Sequence, residues 1–261
     1  MMSAAVFDTL APEYDARFTR SVLGQRLRRA LWRWLDGAFQ RGQRVLELNC
    51  GTGDDAIHLA ARGVRVLATD ASRAMLDVAR GKVGDAGLGG LVEVRLTAIE
   101  RLEELHGEAG EGWDGAFSSF GGLNCVADVP RVARALGTLL KRGARVVLCV
   151  MGPVVPWEWA WFLVHGQPGR AFRRLGTGGV EWRGITVRYP SARALRRAFA
   201  PDFAFRRAGG LGVLVPPTYA EEWARRHPAL LERLDRWERR IEHWPLVPWL
   251  GDHYLLEMER R

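Results

Sequence analysis

The sequence has few cysteines and no long apolar run, and both shortages exclude classes of protein. Cys50, Cys125 and Cys149 are an odd number without Cys-x-x-Cys spacing, which predicts neither a disulfide framework nor a zinc site. The longest apolar stretches are too short for a membrane-spanning helix, and no basic segment precedes an apolar one near Met1 as a secretory signal requires. No constellation of metal ligands appears in the sequence. We therefore expect a chain without a metal, located in a reducing cytoplasm.

Lysine is also scarce, so arginine carries nearly all of the positive charge behind the formal net charge of +8. Acids outnumber bases over residues 45–130, whereas residues 20–44 and 170–207 are strongly basic. Two interpretations of the basic segments stay open: a solvated surface, or a site for anionic substrates or a membrane surface. Charge alone therefore does not predict a nucleic-acid partner.

The chain does contain a continuous nucleotide-binding pattern over residues 44–70. An apolar run over residues 45–48 is short enough for a strand that is buried on both faces. Gly51 and Gly53 follow it in a turn, and a helix and a second apolar run then lead to Asp70. This order predicts half of a nucleotide-binding α/β sheet. The carboxylate of Asp70 suits a ribose because it can accept hydrogen bonds from both hydroxyls.

The same turn lacks the features that bind phosphates. It has neither the Gly-x-Gly-x-x-Gly spacing of dinucleotide sites nor the Gly-Lys-Ser/Thr of a Walker loop. The helix after it starts with Asp54 and Asp55, either of which could cap it, and two carboxylates there would repel a phosphate. We therefore expect a ligand that carries a ribose but no phosphate at this turn. Glu47, at the end of the first strand, could meet a cationic group of that ligand.

On these residues the chain resembles the class I S-adenosylmethionine-dependent methyltransferases, in the small-molecule branch called type 11. The first motif of that family is acid-x-Gly-x-Gly-x-Gly, and residues 47–53 match it except at Asn49, a residue type that tolerates positive φ. The resemblance implies that S-adenosylmethionine is the cofactor and S-adenosylhomocysteine the product. It also implies that Glu47 lies near the methionine amine and that Asp70 holds the ribose.

Further stretches match the family and complete its cofactor site. The segment from Phe7 to Asp15 resembles a lid, in which Tyr14 touches the methionine end of the cofactor. Residues 97–99 are expected beside the adenine, although family members usually carry an Asp where Thr97 stands. Residues 118–120, including Phe120, follow the fourth strand, where cofactor and acceptor are expected to meet. The cofactor-binding residues implied by the resemblance are Tyr14, Glu47, Asn49, Cys50, Gly51, Gly53, Asp70, Ala71, Met75, Thr97, Ala98, Ile99, Ser118 and Ser119.

The implied fold class is α/β, with a Rossmann-like, seven-stranded, mostly parallel sheet, helices on both faces and an antiparallel last strand. We expect a single methyltransferase domain over residues 1–261. Its parts are an N-terminal helical lid over 1–43, a cofactor-binding core over 44–150, a substrate cap inserted after the fifth strand over 151–190, and a C-terminal completion of the sheet over 191–261. Local patterns predict helices over 129–141 and 219–242, a loop over 84–90 and one strand over 180–188. Ser72 and Ser191 are the expected N-caps of two further helices.

Three tryptophans within five residues, Trp157, Trp159 and Trp161, mark the predicted cap. They could form an aromatic box for a flat or apolar acceptor, dip into a membrane interface, or pack a cap helix against the main domain. The sequence leaves these three alternatives open, and with them peripheral contact with a membrane.

Methyl transfer from a sulfonium depends on positioning and water exclusion, and it needs a base only when the acceptor must lose a proton. The candidate catalytic groups are Tyr14 in the lid and His165 in the cap. We expect a methyltransferase that acts on an O, N or C atom of a small, aromatic or apolar acceptor, as a monomer or a homodimer. An RNA or protein methyltransferase and a non-catalytic S-adenosylmethionine-binding module are the alternatives. Nucleic acid is disfavoured because residues 118–121 lack the Asn/Asp-Pro-Pro-aromatic motif of enzymes that methylate nucleobase amino groups.

Overall fold

Short apolar runs bounded by glycine and polar turns form the strands in the computed structural model, which describes residues 2–108 and 110–261. The strands are β1 (Arg44–Leu48), β2 (Arg65–Asp70), β3 (Val92–Leu96), β4 (Trp113–Ser118), β5 (Leu140–Met151), β6 (Val180–Trp182), β7 (Ile185–Val187), β8 (Phe203–Leu211) and β9 (His253–Arg260). Seven of them form one sheet in the order β3-β2-β1-β4-β5-β9-β8. The first five run parallel, and β9 lies antiparallel between β5 and β8. The predicted fold class is confirmed.

Helices cover both faces of this sheet. They are α1 (Met2–Tyr14), α2 (Val22–Ala38), α3 (Asp54–Ala61), α4 (Arg73–Asp85), α5 (Val129–Leu139), α6 (Pro156–Val164), α7 (Pro168–Ala171), α8 (Ala192–Phe199), α9 (Glu221–Arg226) and α10 (Pro228–Ile241). One face packs on α2, α3 and α4, and the other on α5 and α8. In β1, Val45 joins the first layer and Leu46 the second, because successive strand side chains point to opposite faces. None of the helices in the described ranges combines the length and the apolarity needed to cross a membrane.

Helix starts follow the predicted caps in two cases and depart from them in a third. The Ser72 hydroxyl accepts a hydrogen bond from the Met75 amide at the start of α4, and Ser191 caps α8 in the same way, as predicted. The N-cap of α3 is Gly53, at φ 81°, and no side chain caps this helix. The predicted cap by Asp54 or Asp55 is wrong because both carboxylates pair with side-chain cations, described below.

Other predicted elements are divided or shifted. The strand expected over 180–188 is the hairpin β6–β7, which turns at Arg183 and Gly184, both at positive φ. The helix expected over 219–242 is interrupted between α9 and α10, because Pro228 has no N–H to continue a helix. α4 extends into the loop expected over 84–90, and β5 begins inside the helix expected over 129–141.

The predicted lid is a helix whose side chains repeat every seven residues. Phe7 and Tyr14 lie two helical turns apart on one face of α1, and Asp8 and Asp15 repeat in the same way. The Asp8 carboxylate accepts hydrogen bonds from the Ser72 hydroxyl (2.6 Å) and the backbone amide at position 74 (3.0 Å).

Asp15, the first residue of the π-helical turn Asp15–Thr19 that follows α1, supplies the second attachment. It accepts hydrogen bonds from the Thr52 hydroxyl (2.7 Å) and from Nζ of Lys82 (3.0 Å). The hydrogen bond from Ser72 lowers the pKa of Asp8. Burial opposes ionisation of Asp15, but the hydrogen bonds from Thr52 and Lys82 outweigh it, so the pKa of Asp15 is lowered too. These contacts are therefore complete above about pH 4 and are lost as the pH falls through the lowered values.

The double substitution Asp8→Ala/Asp15→Ala should release α1 from the elements beneath it. Each carboxylate contributes about 1 kcal/mol at such partly exposed positions, so amide exchange over residues 5–19 should accelerate about tenfold or more. Hydrogen–deuterium exchange at neutral pH measures this directly. Asp77→Ala removes an exposed acid that pairs with Arg80 on α4 and is the matched control. Equal exchange in the two variants would show that these carboxylates do not anchor the lid.

Candidate functional site

The strand order reverses between β1 and β4, and a cavity of about 380 Å³ opens there at the carboxyl ends of the strands. It is lined by Phe7, Tyr14, Asn49, Gly51, Asp70, Ala71, Met75, Ile99, Glu100, Phe120, Gly121, Gly122, Cys125, Met151, Arg173, Arg174, Val180, Trp182, Val187 and Tyr189. A larger open groove of about 670 Å³ lies at the other edge, where β1 and β2 begin. Ligands of open α/β sheets bind beyond the carboxyl ends at such a reversal, so the smaller cavity is the candidate site.

The turn after β1 shapes the floor of this cavity. Asn49, Gly51 and Gly53 have φ values of 52°, 53° and 81°, which confirms that Asn49 tolerates the left-handed conformation. The Asn49 side chain donates to the Ser119 carbonyl (3.1 Å) and accepts from the Ser118 hydroxyl (2.9 Å). A Cβ atom at Gly122 would lie 1.9 Å from this side chain, so only glycine fits there. Asn49 therefore joins the end of β1 to the end of β4.

Asp70 faces the same turn from the end of β2. Its two carboxylate oxygens accept hydrogen bonds from the amides of Gly51 (2.9 Å) and Ser72 (2.8 Å). Burial raises the pKa of Asp70, while these amide hydrogen bonds oppose the rise. Because a carboxylate offers about four acceptor positions, Asp70 keeps capacity for two further donors from the cavity.

Glu47 lies beneath the turn, on the side of the sheet that packs on α2 and α3. It is fully buried, and neither carboxyl oxygen has a hydrogen-bond partner among the described residues. Burial, reinforced by the nearby Asp55, raises the pKa of Glu47 well above its ordinary value. A buried carboxyl without a partner costs free energy, so it marks a position suited to a donor or a cation.

The two acids that start α3 are neutralised by the protein itself. Asp54 lies 2.6 Å from Nζ of Lys82, and Asp55 lies 2.6 Å from a guanidinium nitrogen of Arg28 and accepts from the Trp32 indole (2.7 Å). Neither acid lines the cavity. The prediction that these carboxylates repel a phosphate is therefore wrong, because Lys82 and Arg28 compensate their charges.

The predicted cofactor residues divide into two groups. The first group lines the cavity and consists of Tyr14, Asn49, Gly51, Asp70, Ala71, Met75 and Ile99. The second group lies outside that lining and consists of Glu47, Cys50, Gly53, Thr97, Ala98, Ser118 and Ser119.

Packing explains several positions in the second group. The Cys50 side chain is part of the hydrophobic core, and burial raises the pKa of its thiol. A Cβ atom at Gly53 would lie 3.0 Å from Ala79, so this glycine permits close contact between α3 and α4. The Thr97 amide donates to the Asp70 carbonyl (3.0 Å), which holds residues 97–99 against the end of β2. These residues shape the site through the backbone.

The remaining wall of the cavity is largely apolar, and it consists mainly of Phe120 with residues of the predicted lid and of the predicted cap over 151–190. Met151 contributes from the end of β5, and Trp182 and Val187 contribute from the β6–β7 hairpin. Phe7 of the lid packs against Trp182, with ring centroids 6.4 Å apart. The sequence predicts a cap over residues 151–190 but does not indicate which of its side chains form this wall, because the hairpin was expected as a single strand.

The three tryptophans of the predicted cap do not line this cavity. The Trp157 indole donates to the Leu214 carbonyl (2.9 Å), and Trp159 and Trp161 pack against Phe172 and Tyr219. They therefore pack α6 against its neighbours and form no aromatic box around this cavity, which supports the packing interpretation.

The two candidate catalytic groups are placed differently. His165 is exposed, its Nδ1 lies 2.7 Å from the Trp161 carbonyl one turn earlier, and it does not line the cavity. It is therefore not placed to act on a bound acceptor. Tyr14 does line the cavity, within 4.0 Å of the Cβ position at Gly51, and burial raises the pKa of its phenol to about 12.

A buried ionic network borders the apolar wall. Arg174 lies 2.6 Å from a carboxylate oxygen of Glu158 and 2.8 Å from one of Asp252, and Arg173 lies 2.7 Å from Glu158. Asp252 also contacts His253 (3.2 Å). Burial opposes ionisation of Asp252, but Arg174 and His253 lower its pKa below the ordinary range. The sequence did not predict this network, although an acid between two tryptophans, as Glu158 is, could have indicated a buried ion pair.

Comparison with known proteins agrees with this geometry. A family model described as a methyltransferase domain matches residues 45–143. The chain is 33% identical over 172 residues to a demethylmenaquinone methyltransferase of Thermobifida fusca, covering 63% of this chain and 69% of that protein. It is 32% identical over 163 residues to the protein of the same name from Clavibacter sepedonicus, covering 59% and 60%. The chain thus spans 60% and 69% of the lengths of these two relatives.

A solved structure shares the fold over most of the chain. It is the geranyl diphosphate C-methyltransferase of Streptomyces coelicolor A3(2), in complex with Mg²⁺, geranyl diphosphate and S-adenosyl-L-homocysteine. The TM-score is 0.57 at 15% sequence identity, over 91% of this chain and 80% of that one, so this likeness concerns the fold. By its match to the domain model and to the Thermobifida relative, the chain belongs to the S-adenosylmethionine-dependent methyltransferases.

Proposed function

We propose that this chain transfers the methyl group of S-adenosylmethionine to a small apolar acceptor with an aromatic or quinone-type ring. The observation that carries this proposal is the joining, in one cavity, of the family's cofactor residues and an apolar wall from the β6–β7 hairpin. Its volume of about 380 Å³ lies in the range of small-molecule sites. The names of the two demethylmenaquinone methyltransferases support a quinone-type ring.

The residues fit this cofactor in two respects. Asp70 has acceptor capacity for the two ribose hydroxyls, and the unpartnered carboxyl of Glu47 suits the methionine amine. Met75 and Ile99 offer apolar contact to the base. When bound, S-adenosylmethionine supplies a methyl group that its sulfonium has already activated.

The protein then contributes positioning and the exclusion of water. Phe7 and Tyr14 close the cavity from α1, which the anchors at Asp8 and Asp15 hold in place. With a pKa of about 12, the Tyr14 phenol stays protonated at neutral pH, so we assign it the role of a hydrogen-bond donor. This arrangement supports the division into a lid over 1–43, a core over 44–150, a cap over 151–190 and a completing part over 191–261.

We also propose a cytoplasmic location for the enzyme. Cys50, Cys125 and Cys149 are free thiols, which supports a reducing compartment.

Asp70→Ala should weaken the binding of S-adenosylmethionine and S-adenosylhomocysteine by about ten- to a hundredfold, because hydrogen bonds to a charged acceptor contribute about 1.5–3 kcal/mol. Isothermal titration calorimetry measures both affinities. Asp77→Ala, on the exposed side of α4, is the control and should bind as the unaltered chain does. Asp70→Asn keeps one acceptor oxygen and should give an intermediate affinity. Failure of the unaltered chain to bind at micromolar concentration would refute the proposal.

Glu47→Gln should stabilise the ligand-free protein and weaken cofactor binding. Because its pKa is raised in the folded chain, the stability lost to burying Glu47 grows as the pH rises above the unfolded value of about 4.3. The gain in melting temperature on substitution should therefore be larger at pH 8 than at pH 5. Differential scanning calorimetry and titration calorimetry check the two effects.

Glu238→Gln provides a matched control for this substitution. Glu238 is buried too, but its carboxylate accepts hydrogen bonds from the amides of Gly212, Leu214 and Val215, each 2.8 Å long. This variant should lose stability and keep its cofactor affinity. A destabilised Glu47→Gln variant with unchanged cofactor affinity would contradict the role assigned to Glu47.

Trp182→Ala should raise the KM for the acceptor about tenfold and leave cofactor affinity within about twofold, because it removes apolar wall and no cofactor contact. Transfer of labelled methyl to naphthohydroquinones, with and without a prenyl chain, measures this. Phe205→Ala removes a similarly exposed ring from β8, outside the cavity, and should change neither value. Cofactor binding without transfer to any acceptor would favour the non-catalytic alternative.

A further inference from the structure

α10 separates its charges between two sides. Glu238 is buried and hydrogen-bonded to backbone amides, as described above. Glu232 and Asp235 lie beside α2, where both pair with Arg26 at 2.8 Å and 3.5 Å. Each of the three acids on this helix is thus either buried or paired with Arg26 of α2.

The opposite side of α10 carries apolar and basic side chains. Leu230, Arg233, Trp237 and Arg240 recur at spacings of three and four residues, and Trp244 continues the spacing just beyond the helix end. We call these five residues the α10 outer stripe. Trp237 and Trp244 are 57% and 62% exposed, and the Arg240 guanidinium lies 5.1 Å from the Trp237 ring centroid. No ion pair within the described part of the chain involves Arg233 or Arg240.

We propose that the α10 outer stripe docks the protein on an anionic lipid surface. Tryptophan favours the interface between lipid headgroups and acyl chains, where its apolar ring is buried and its N–H stays wet. Arginines beside it meet lipid phosphates, and each adds attraction to an anionic surface. An acid-free stripe on a chain of net charge +8 is complementary to such a surface.

Two other occupants fit the stripe less well. A second copy of the chain would bring the same arginines face to face, and like charges across an interface oppose association. The phosphates of a nucleic acid would pair with the arginines. They would leave Leu230 without an apolar partner, and also Leu246, which follows the stripe and is 71% exposed. A lipid surface uses both kinds of side chain. The tryptophans of α6 are not part of this stripe, because Trp157 and Trp161 are half-buried and contact Leu214 and Tyr219.

The test is vesicle flotation of the full chain with phosphatidylcholine alone and with phosphatidylcholine mixed with phosphatidylglycerol. We expect binding to the mixed vesicles only, weakening as salt is raised. Arg233→Gln/Arg240→Gln should reduce that affinity about tenfold or more, because two of the attracting charges are removed. Trp237→Ala should also weaken binding, with less change in its salt dependence.

A matched variant controls for net charge. Arg134→Gln/Arg197→Gln removes two exposed arginines from α5 and α8, on the face of the sheet opposite α2, and should bind vesicles within about twofold of the unaltered chain. Melting temperature and S-adenosylmethionine affinity should match across all variants, which separates this proposal from the proposed function. Equal losses in both double variants would overturn the proposal. So would equal binding to the two vesicle types, or stripe-dependent binding to RNA without binding to vesicles.

Discussion

A left-handed turn after β1 is the constraint on which the rest of the site depends. At Asn49, Gly51 and Gly53 the backbone adopts positive φ, a conformation that most side chains oppose. The turn directs the Gly51 amide at Asp70 and the Asn49 side chain at the end of β4. The Asn49 side chain thus joins the two strands between which the sheet order reverses, β1 and β4, at the point where the cavity opens, and the Gly51 amide joins the turn to β2. Asparagine in place of the family's first glycine therefore adds a connection.

Among the described residues around this turn, Glu47 is the one acid whose carboxyl has no partner. Asp54 and Asp55 have Lys82 and Arg28, and Asp70 has two backbone amides. Glu47 has none among the described residues. The sequence indicates several acids around this turn. In the fold, Glu47, beneath the turn, is the described one that stays uncompensated. Local neutralisation explains how acids at a helix start can coexist with a ligand above them.

The cofactor half of the cavity could be predicted because its residues are close in sequence. Strand, turn, helix and acid follow one another within residues 44–70, and backbone conformation there depends on glycine and asparagine. The acceptor half of the cavity could not be predicted in the same way, because Glu158, Arg174 and Asp252 are far apart in sequence and meet only after the chain has folded. The motif predicts the backbone conformation of the turn more reliably than it predicts which side chains line the cavity. Cys50 and Gly53 belong to the motif but do not line the cavity. The hairpin was missed because Arg183 adopts positive φ, which is uncommon for its residue type.

The network centred on Arg174 also affects whether the acceptor-binding wall loses its conformational entropy on folding or on binding. Buried ion pairs contribute little net stability, but they fix relative positions because breaking one leaves an uncompensated charge. Arg174 joins Glu158 of α6 to Asp252, directly before β9, so the cap is held to the sheet by contacts that involve no ligand. This wall therefore loses its conformational entropy when the chain folds, before any acceptor binds. An arriving ring then finds a preorganised surface, and more of its contact energy remains available as affinity.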